Sequence, residues 1–291
     1  MTVHRFEHQA MATTFELRIA GVDAVYAAGA AREAFARVDR LEALLSRYEP
    51  ESEISQIGRL TPGESLVVSE DTFDCIVLSM ALREATHGAF DPTARAQIDR
   101  VKIGESSEEP PKGRLLIDPA SRTVRVEEGA VEFDLGAIGK GFALDRIAAM
   151  FADWEISTAL LVAGGSSLLA LDAPGDGWEV NLGETGQTLP LKNRALGGSG
   201  SKMQGEHVVD PVSGEVARRW FRTWALAGSA AAADAFSTAF MNLERREIRA
   251  VCREQGNVQA ILQKRERRPD RLVWLPPRAG DSVCPPAESA A

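Results

Sequence analysis

Cysteine is scarce. The 291-residue chain has three, Cys75, Cys252 and Cys284, odd in number and far apart, which suggests neither a disulfide framework nor a zinc site. Such usage fits a reducing compartment. Positive charge is also short: the net charge is −9, and the one basic run, Lys264 to Arg268, reads as a solvated helix end. Without a basic face, a nucleic-acid binder is not expected. No apolar run approaches the roughly 18 residues of a membrane span, and the N-terminal stretch lacks a signal-peptide core. The sequence as given therefore reads as cytoplasmic with no membrane span or lipid anchor, although a processed exported form would look the same.

What is present is ordinary globular material, with 44% hydrophobic and 26% charged residues, enough for one large domain or two small ones. Ala24 to Leu45 and Glu70 to Thr86 carry helical apolar spacing. Phe6 to Ile19, Leu115 to Val126 and Ser157 to Leu171 read as strand pairs, and Trp178 to Leu182 as a strand. Residues 46–60 read as a loop, and Arg194 to Gly200 as a glycine-rich stretch needing something to pack against. This mixture is an α+β pattern rather than regular βαβ alternation. One compact, two-lobed unit over residues 1–278 is expected, with 279–291 as a disordered tail.

Val131 to Met150, VEFDLGAIGKGFALDRIAAM, organises the rest. It reads as a short strand with Val131, Phe133 and Leu135 on one face, a loop with glycines at 136, 139 and 141, then a helix. Unpaired N–H groups at a helix start, approached closely through glycine, suit a phosphate or pyrophosphate. Lys140 would add a point charge. The spacing matches neither the dinucleotide fingerprint nor the P-loop, and glycines that merely permit tight packing would look the same.

Other stretches carry candidate groups. Pro92 is expected to hold Phe90 and Asp91 in a rigid turn that presents both. His207, with Asp210 three residues on in HVVDPVSG, is the histidine best placed to deprotonate a hydroxyl. Ala225 to Leu243 reads as a closely packed helix with Asp234 and Thr238 on one face. A carboxylate and a hydroxyl suit Mg²⁺ completed by water and substrate phosphate, while a helix-dipole role for Asp234 after a Ser229 cap is the alternative. Met11 is a turn residue or core filler, and Tyr48 a stacking platform or a rim residue.

In this order, Met11-Ala-Thr-Thr, SRYEPESEIS (46–55), GAFDPT (88–93), DLGAIGKGFALD (134–145), LVAGGS (161–166), Ser199-Gly200, HVVDPVSG (207–214) and ADAFSTAF (233–240) resemble the ApbE-type flavin transferases. The resemblance implies an ApbE-like, two-lobed α+β fold of mixed or antiparallel sheets flanked by helices, and transfer of FMN from FAD to a Thr or Ser hydroxyl of an acceptor flavoprotein, releasing AMP. It implies that Met11, Tyr48, Ala89, Phe90, Asp91, Gly136, Lys140 and Phe142 line the FAD site. Gly139, Asp234 and Thr238 would hold Mg²⁺, and His207 with Asp210 would do the proton chemistry. An Mg²⁺-dependent FAD pyrophosphatase and a non-catalytic flavin carrier are the alternatives. The chain departs from the family pattern in its short 93–134 segment, in Ser166 where an acidic residue commonly follows the glycine pair, and after Ser199-Gly200, where no aromatic or acidic residue stands.

Overall fold

The computed structural model describes residues 1–94, 113–200, 211, 217, 219–264 and 272–276. An eight-stranded sheet runs in the order β1-β2-β6-β7-β10-β11-β12-β13, every neighbouring pair antiparallel. The strands are β1 (Val3–Ala10), β2 (Thr13–Ala20), β6 (Thr158–Ala163), β7 (Ser167–Ala170), β10 (Arg194–Gly200), β11 (Arg222–Ala227), β12 (Gln259–Gln263) and β13 (Leu272–Leu275). A second sheet has the order β3-β5-β4, from Ser65–Val67, Thr123–Glu128 and Arg114–Asp118. β8 (Trp178–Asn181) and β9 (Thr188–Leu191) form a two-stranded ribbon.

At β7 and β11 the large sheet is buried on both faces. On β11, Ala225 and Ala227 join the main core, while Trp224 and Leu226 join a smaller core shared with Trp178, Val180, Leu182 and Leu189 of the ribbon segment. That alternation of period two fixes which strand residues meet the helices. The helical layer contains α1 (Ala24–Leu45), α3 (Glu70–Ala85), α4 (Gly139–Asp153) and α5 (Ala230–Asn242), with α2 (Glu53–Ile57) and α6 (Arg245–Gln255) beside it. Asp23 caps α1, accepting from the N–H groups of Val25 and Tyr26, and Ser69 caps α3.

α5 is central. All but Ala232 and Thr238 of its thirteen residues are buried, as expected of a helix with packing on every side. It lies against β10, β11 and α4. Two glycines set how close these come. A Cβ on Gly141 would stand 2.2 Å from the carbonyl oxygen of Ala230, and one on Gly197 would stand 2.3 Å from that of Ala233.

Five local expectations change. Within the 46–60 stretch, Ser52 accepts from the Ser55 N–H and starts the short helix α2. Val131 to Leu135 keeps its alternating burial but joins no strand ladder; the Asp134 N–H bonds instead to the Pro92 carbonyl at 2.8 Å. Arg194 to Gly200 is a central strand, and Ala225–Ala227 ends strand β11 rather than beginning a helix. Lys264 follows strand β12, not a helix; 265–268 and the 279–291 tail lie outside the described residues.

Replacing Gly141 with Ala is expected to cost at least about 2 kcal/mol, since backbone must move to admit the methyl group. Gly139→Ala, where a Cβ meets nothing within 4 Å, is expected to be neutral or slightly stabilising. Urea denaturation of the two variants checks the contrast.

Candidate active site

The loop-to-helix junction of 134–141 and the N-terminal half of α5 meet directly. The Gly141 N–H donates to Asp234 Oδ2 at 2.9 Å, and the Ser167 hydroxyl at the start of β7 donates to the same oxygen at 2.8 Å. Oδ1 receives no hydrogen bond from the described residues. Asp234 is 5% exposed, so its carboxylate has left water. Burial pushes its pKa up to about 6, opposed by the charge of Lys140, the Ser167 hydroxyl and the Gly141 N–H, and reinforced by the charge of Asp145.

Asp145, one helical turn beyond Gly141 on α4, holds α5 in place. Its two oxygens accept from the N–H groups of Ala230 and Ala231 at 2.7 and 2.9 Å, two of the unpaired donors that begin α5. Ser229 supplies a third cap bond, to Ala232. Burial also raises Asp145 to about 6, against the pull of those N–H groups.

Thr238, the next residue on the Asp234 face, touches β10: the hydroxyls of Ser199 and Thr238 lie 3.1 Å apart, and those of Ser199 and Ser237 2.9 Å apart. Ser237 donates back to the Asp234 carbonyl at 2.9 Å. One carboxylate and a row of hydroxyls therefore line one side of α5. No group of three or more His, Cys, Asp or Glu gathers among the described residues. Such a donor set, hard oxygens with a single carboxylate, fits Mg²⁺ sharing its shell with water and a phosphate better than a metal needing an all-protein cage.

Lys140, Gly136 and Tyr48 lie beside this junction. Lys140 Nζ reaches the Gly136 carbonyl at 3.4 Å, and the exposed Gly136 donates its N–H to Asp134 Oδ1 at 2.9 Å. Arg47, which sequence reasoning passed over, joins two of the motifs. Its guanidinium carbon lies 4.1 Å from the Tyr48 ring centroid, it donates to the Tyr48 hydroxyl, and its Nε stands 3.5 Å from Asp134 Oδ2. Tyr48 itself is 76% exposed. Met11 and Ala12 form the β1–β2 turn, at φ 50° and 55°, at the sheet end where Gly164 donates to the Thr14 carbonyl.

The 88–93 turn is anchored from two sides, by Asn242 Nδ2 donating to the Ala89 carbonyl at 3.0 Å and by Asp134 donating to Pro92. The expected presentation of its side chains is not met. Phe90 is 3% exposed in the core, and Asp91 pairs with Arg83 at 2.9 Å while accepting from Thr93. Burying that ring stabilises the core more than a solvent-facing position would, and the buried carboxylate needs its cation. Phe142 is likewise a core residue, with Arg146 4.6 Å from its ring centroid. His207 and Asp210 lie outside the described residues.

A family model described as the ApbE family matches residues 11–262. The chain belongs to the ApbE family. Among its relatives, the FAD:protein FMN transferase of Klebsiella pneumoniae (strain 342) is 23% identical over 280 residues, covering 84% of this chain and 80% of the relative. That of Treponema pallidum (strain Nichols) is 23% identical, covering 80% and 76%. A mutant of the flavin transferase ApbE from Vibrio cholerae superposes with a TM-score of 0.79 at 18% identity, covering 94% of this chain and 97% of that one. The ApbE protein from Thermotoga maritima gives 0.76 at 23%, covering 90% and 94%. These structural likenesses establish the ApbE fold, an α+β architecture with antiparallel sheets and flanking helices.

The buried Asp234 carboxyl binds more protons folded, with a pKa of about 6, than unfolded, where it is near the ordinary aspartate value. In metal-free buffer its contribution favours the fold most below pH about 4, declines as pH rises to about 6, and is level above that. Asp234→Asn is therefore expected to raise the melting temperature in EDTA at pH 7.5 and to lose that advantage at pH 4. A thermal scan at both values checks the sign.

Proposed function

We propose that this chain transfers FMN from FAD to a Thr or Ser hydroxyl of an acceptor flavoprotein in an Mg²⁺-dependent reaction that releases AMP. The observation that carries the reading is the meeting of the 134–141 loop with Asp234 at the Gly141 hydrogen bond, in a member of the ApbE family whose relatives bear the name FAD:protein FMN transferase. The absence of any helix long and apolar enough to cross a membrane, among the described residues, is consistent with an acceptor met in solution or at a surface.

In this reading residues 1–278 act as one unit, with the flavin nucleotide seated against Met11, Tyr48 and the backbone of Ala89 to Asp91. Gly136 and the first turn of α4 receive the pyrophosphate, since helix-start N–H groups favour negative charge, and Lys140 adds a cation at the same place. Asp234, Thr238 and the Gly139 carbonyl would hold Mg²⁺, which when bound neutralises charge on the bridging phosphates. His207, with Asp210, takes the proton from the acceptor hydroxyl. The hydroxyl oxygen forms a bond to the FMN-side phosphorus, the bond from that phosphorus to the bridging oxygen breaks, and AMP leaves with the electron pair.

Incubation with FAD and Mg²⁺, with and without a flavoprotein acceptor domain, tests this by mass spectrometry of the acceptor and chromatography of AMP. AMP formed in step with a covalently flavinylated acceptor is the expected result. AMP without acceptor would make the chain an FAD pyrophosphatase, and bound FAD with no AMP a carrier. Asp234→Ala is expected to lower turnover at least about 100-fold, on the scale of losing a transition-state electrostatic group. His207→Ala is expected to slow turnover about as much while FAD binding, read by flavin fluorescence, persists.

A further inference from the structure

The face of the sheet opposite α5 carries a second feature. A cavity of about 220 Å³ opens beside Gly165, Ser166, Ser199 and Trp224, with Arg222 in its wall. Arg222 is 6% exposed. A guanidinium taken that far from water requires partners for its five N–H donors, yet its Nε is buried with none. Among the described residues it donates to a carboxylate from Nη2, to Glu184 at 3.3 Å, and the Glu184 side chain is 73% exposed.

This position is built, not incidental. A Cβ on Gly183, whose φ is +58°, would lie 2.2 Å from Arg222 Nη1, and one on Gly200 would lie 2.7 Å from Arg222 Cγ. Two glycines from separate segments thus vacate the space the side chain fills. Gly198, opposite Trp224 in the β10–β11 register, does the same for the indole, 3.0 Å from its own missing Cβ.

Nε–H and one Nη2–H of an arginine project side by side, the fork that receives both oxygens of a carboxylate. Here that edge is half used, by a long bond to a solvent-exposed glutamate. We propose that the Arg222 cavity is a subsite for an acidic side chain of the polypeptide acceptor, which takes both Nε and Nη2 and displaces Glu184. A carboxylate fits better than a phosphate, because one guanidinium beside an acidic residue offers a single positive charge. Ser199 ties the subsite to the reacting centre: it lines the cavity and its hydroxyl is 3.1 Å from that of Thr238. The subsite and the Asp234–Thr238 row thus lie on opposite faces of β10 and share Ser199. The assignment rests on the flavin-transfer reading for the identity of the occupant, and on Arg222 alone for its charge.

The test titrates ¹⁵N-labelled full chain, with FAD and Mg²⁺ present, with N-acetyl-aspartate methylamide, its asparagine counterpart and inorganic phosphate. The Arg222 Nε–Hε resonance, assigned with Arg222→Lys, and the Trp224 indole resonance, assigned with Trp224→Phe, are followed. Saturable shifts of both with the aspartate compound, and at least tenfold weaker response to the asparagine one, are expected. Glu184→Gln is expected to tighten aspartate binding severalfold, and Arg222→Lys to weaken it at least tenfold as read on Trp224 while leaving FAD fluorescence quenching unchanged. Shifts with phosphate but not aspartate, equal response to aspartate and asparagine, or no shift at all would each overturn the assignment. Failure of FAD to bind in the parent protein would overturn the functional reading instead, since the Arg222 resonance reports without it.

Discussion

The structure turns on one buried carboxylate and the backbone contacts that deliver it. Asp234 cannot be solvated at 5% exposure, so its charge depends on what the fold aims at it: a helix-start N–H from Gly141, a hydroxyl from Ser167 and the field of Lys140. Two come from α4 and one from β7. They converge because α4 and β10 approach α5 at backbone distance, through Gly141 and Gly197, where any larger residue would hold the elements apart. The opposing contributions do not cancel, and the pKa of about 6 records a remaining cost of keeping the charge in place. A stability penalty of this kind is characteristic of sites shaped for binding rather than for folding.

The large sheet separates two environments that share one strand. On the helical face, β10 gives Gly197 to the backbone of α5 and Ser199 to the hydroxyl row. On the other face, it gives Gly198 to Trp224, beside the Arg222 cavity. The run Gly197-Gly198-Ser199-Gly200 thus works as a thin partition, with little side chain on either side to separate the groups it divides. The Met11 turn and the Gly164-Gly165 turn stand at the same end of the sheet, because β2 pairs with β6 from Phe15 opposite Ala163. Strand register, set by alternating burial, is what brings turns far apart in the chain to one edge.

Much of this was legible in the residues, and the rest was hidden for identifiable reasons. Long helices, hairpins with their turn residues, and the placing of Asp234 and Thr238 on one helix at four-residue spacing are local properties, and they appear where periodicity placed them. β10 and the end of β11 were not legible, since glycine and alanine carry little strand signal and their role is to let α5 approach. The partners of Asp234 were not legible either: no basic residue lies within a turn of it along α5, and Lys140 reaches it from another helix. Phe90 and Asp91 showed the opposite error. Proline correctly marked a rigid turn, but rigidity says nothing about which way the side chains face, and Arg83 and the core claimed both.

Asp145 shows why a second, half-buried acid persists next to the first. Its charge raises the pKa of Asp234 and so works against ionising it. Yet its two oxygens satisfy the Ala230 and Ala231 N–H groups, which sit against Gly141 where α4 and α5 meet at backbone distance. A neutral residue at 145 would relieve the repulsion and leave those two donors short of a bidentate acceptor, loosening α5 at the end from which Asp234 projects. Electrostatics alone would remove this acid, and hydrogen bonding retains it. The fold therefore accepts an unfavourable charge pair in order to fix the first turn of α5, and with it the height at which Asp234 meets the start of α4.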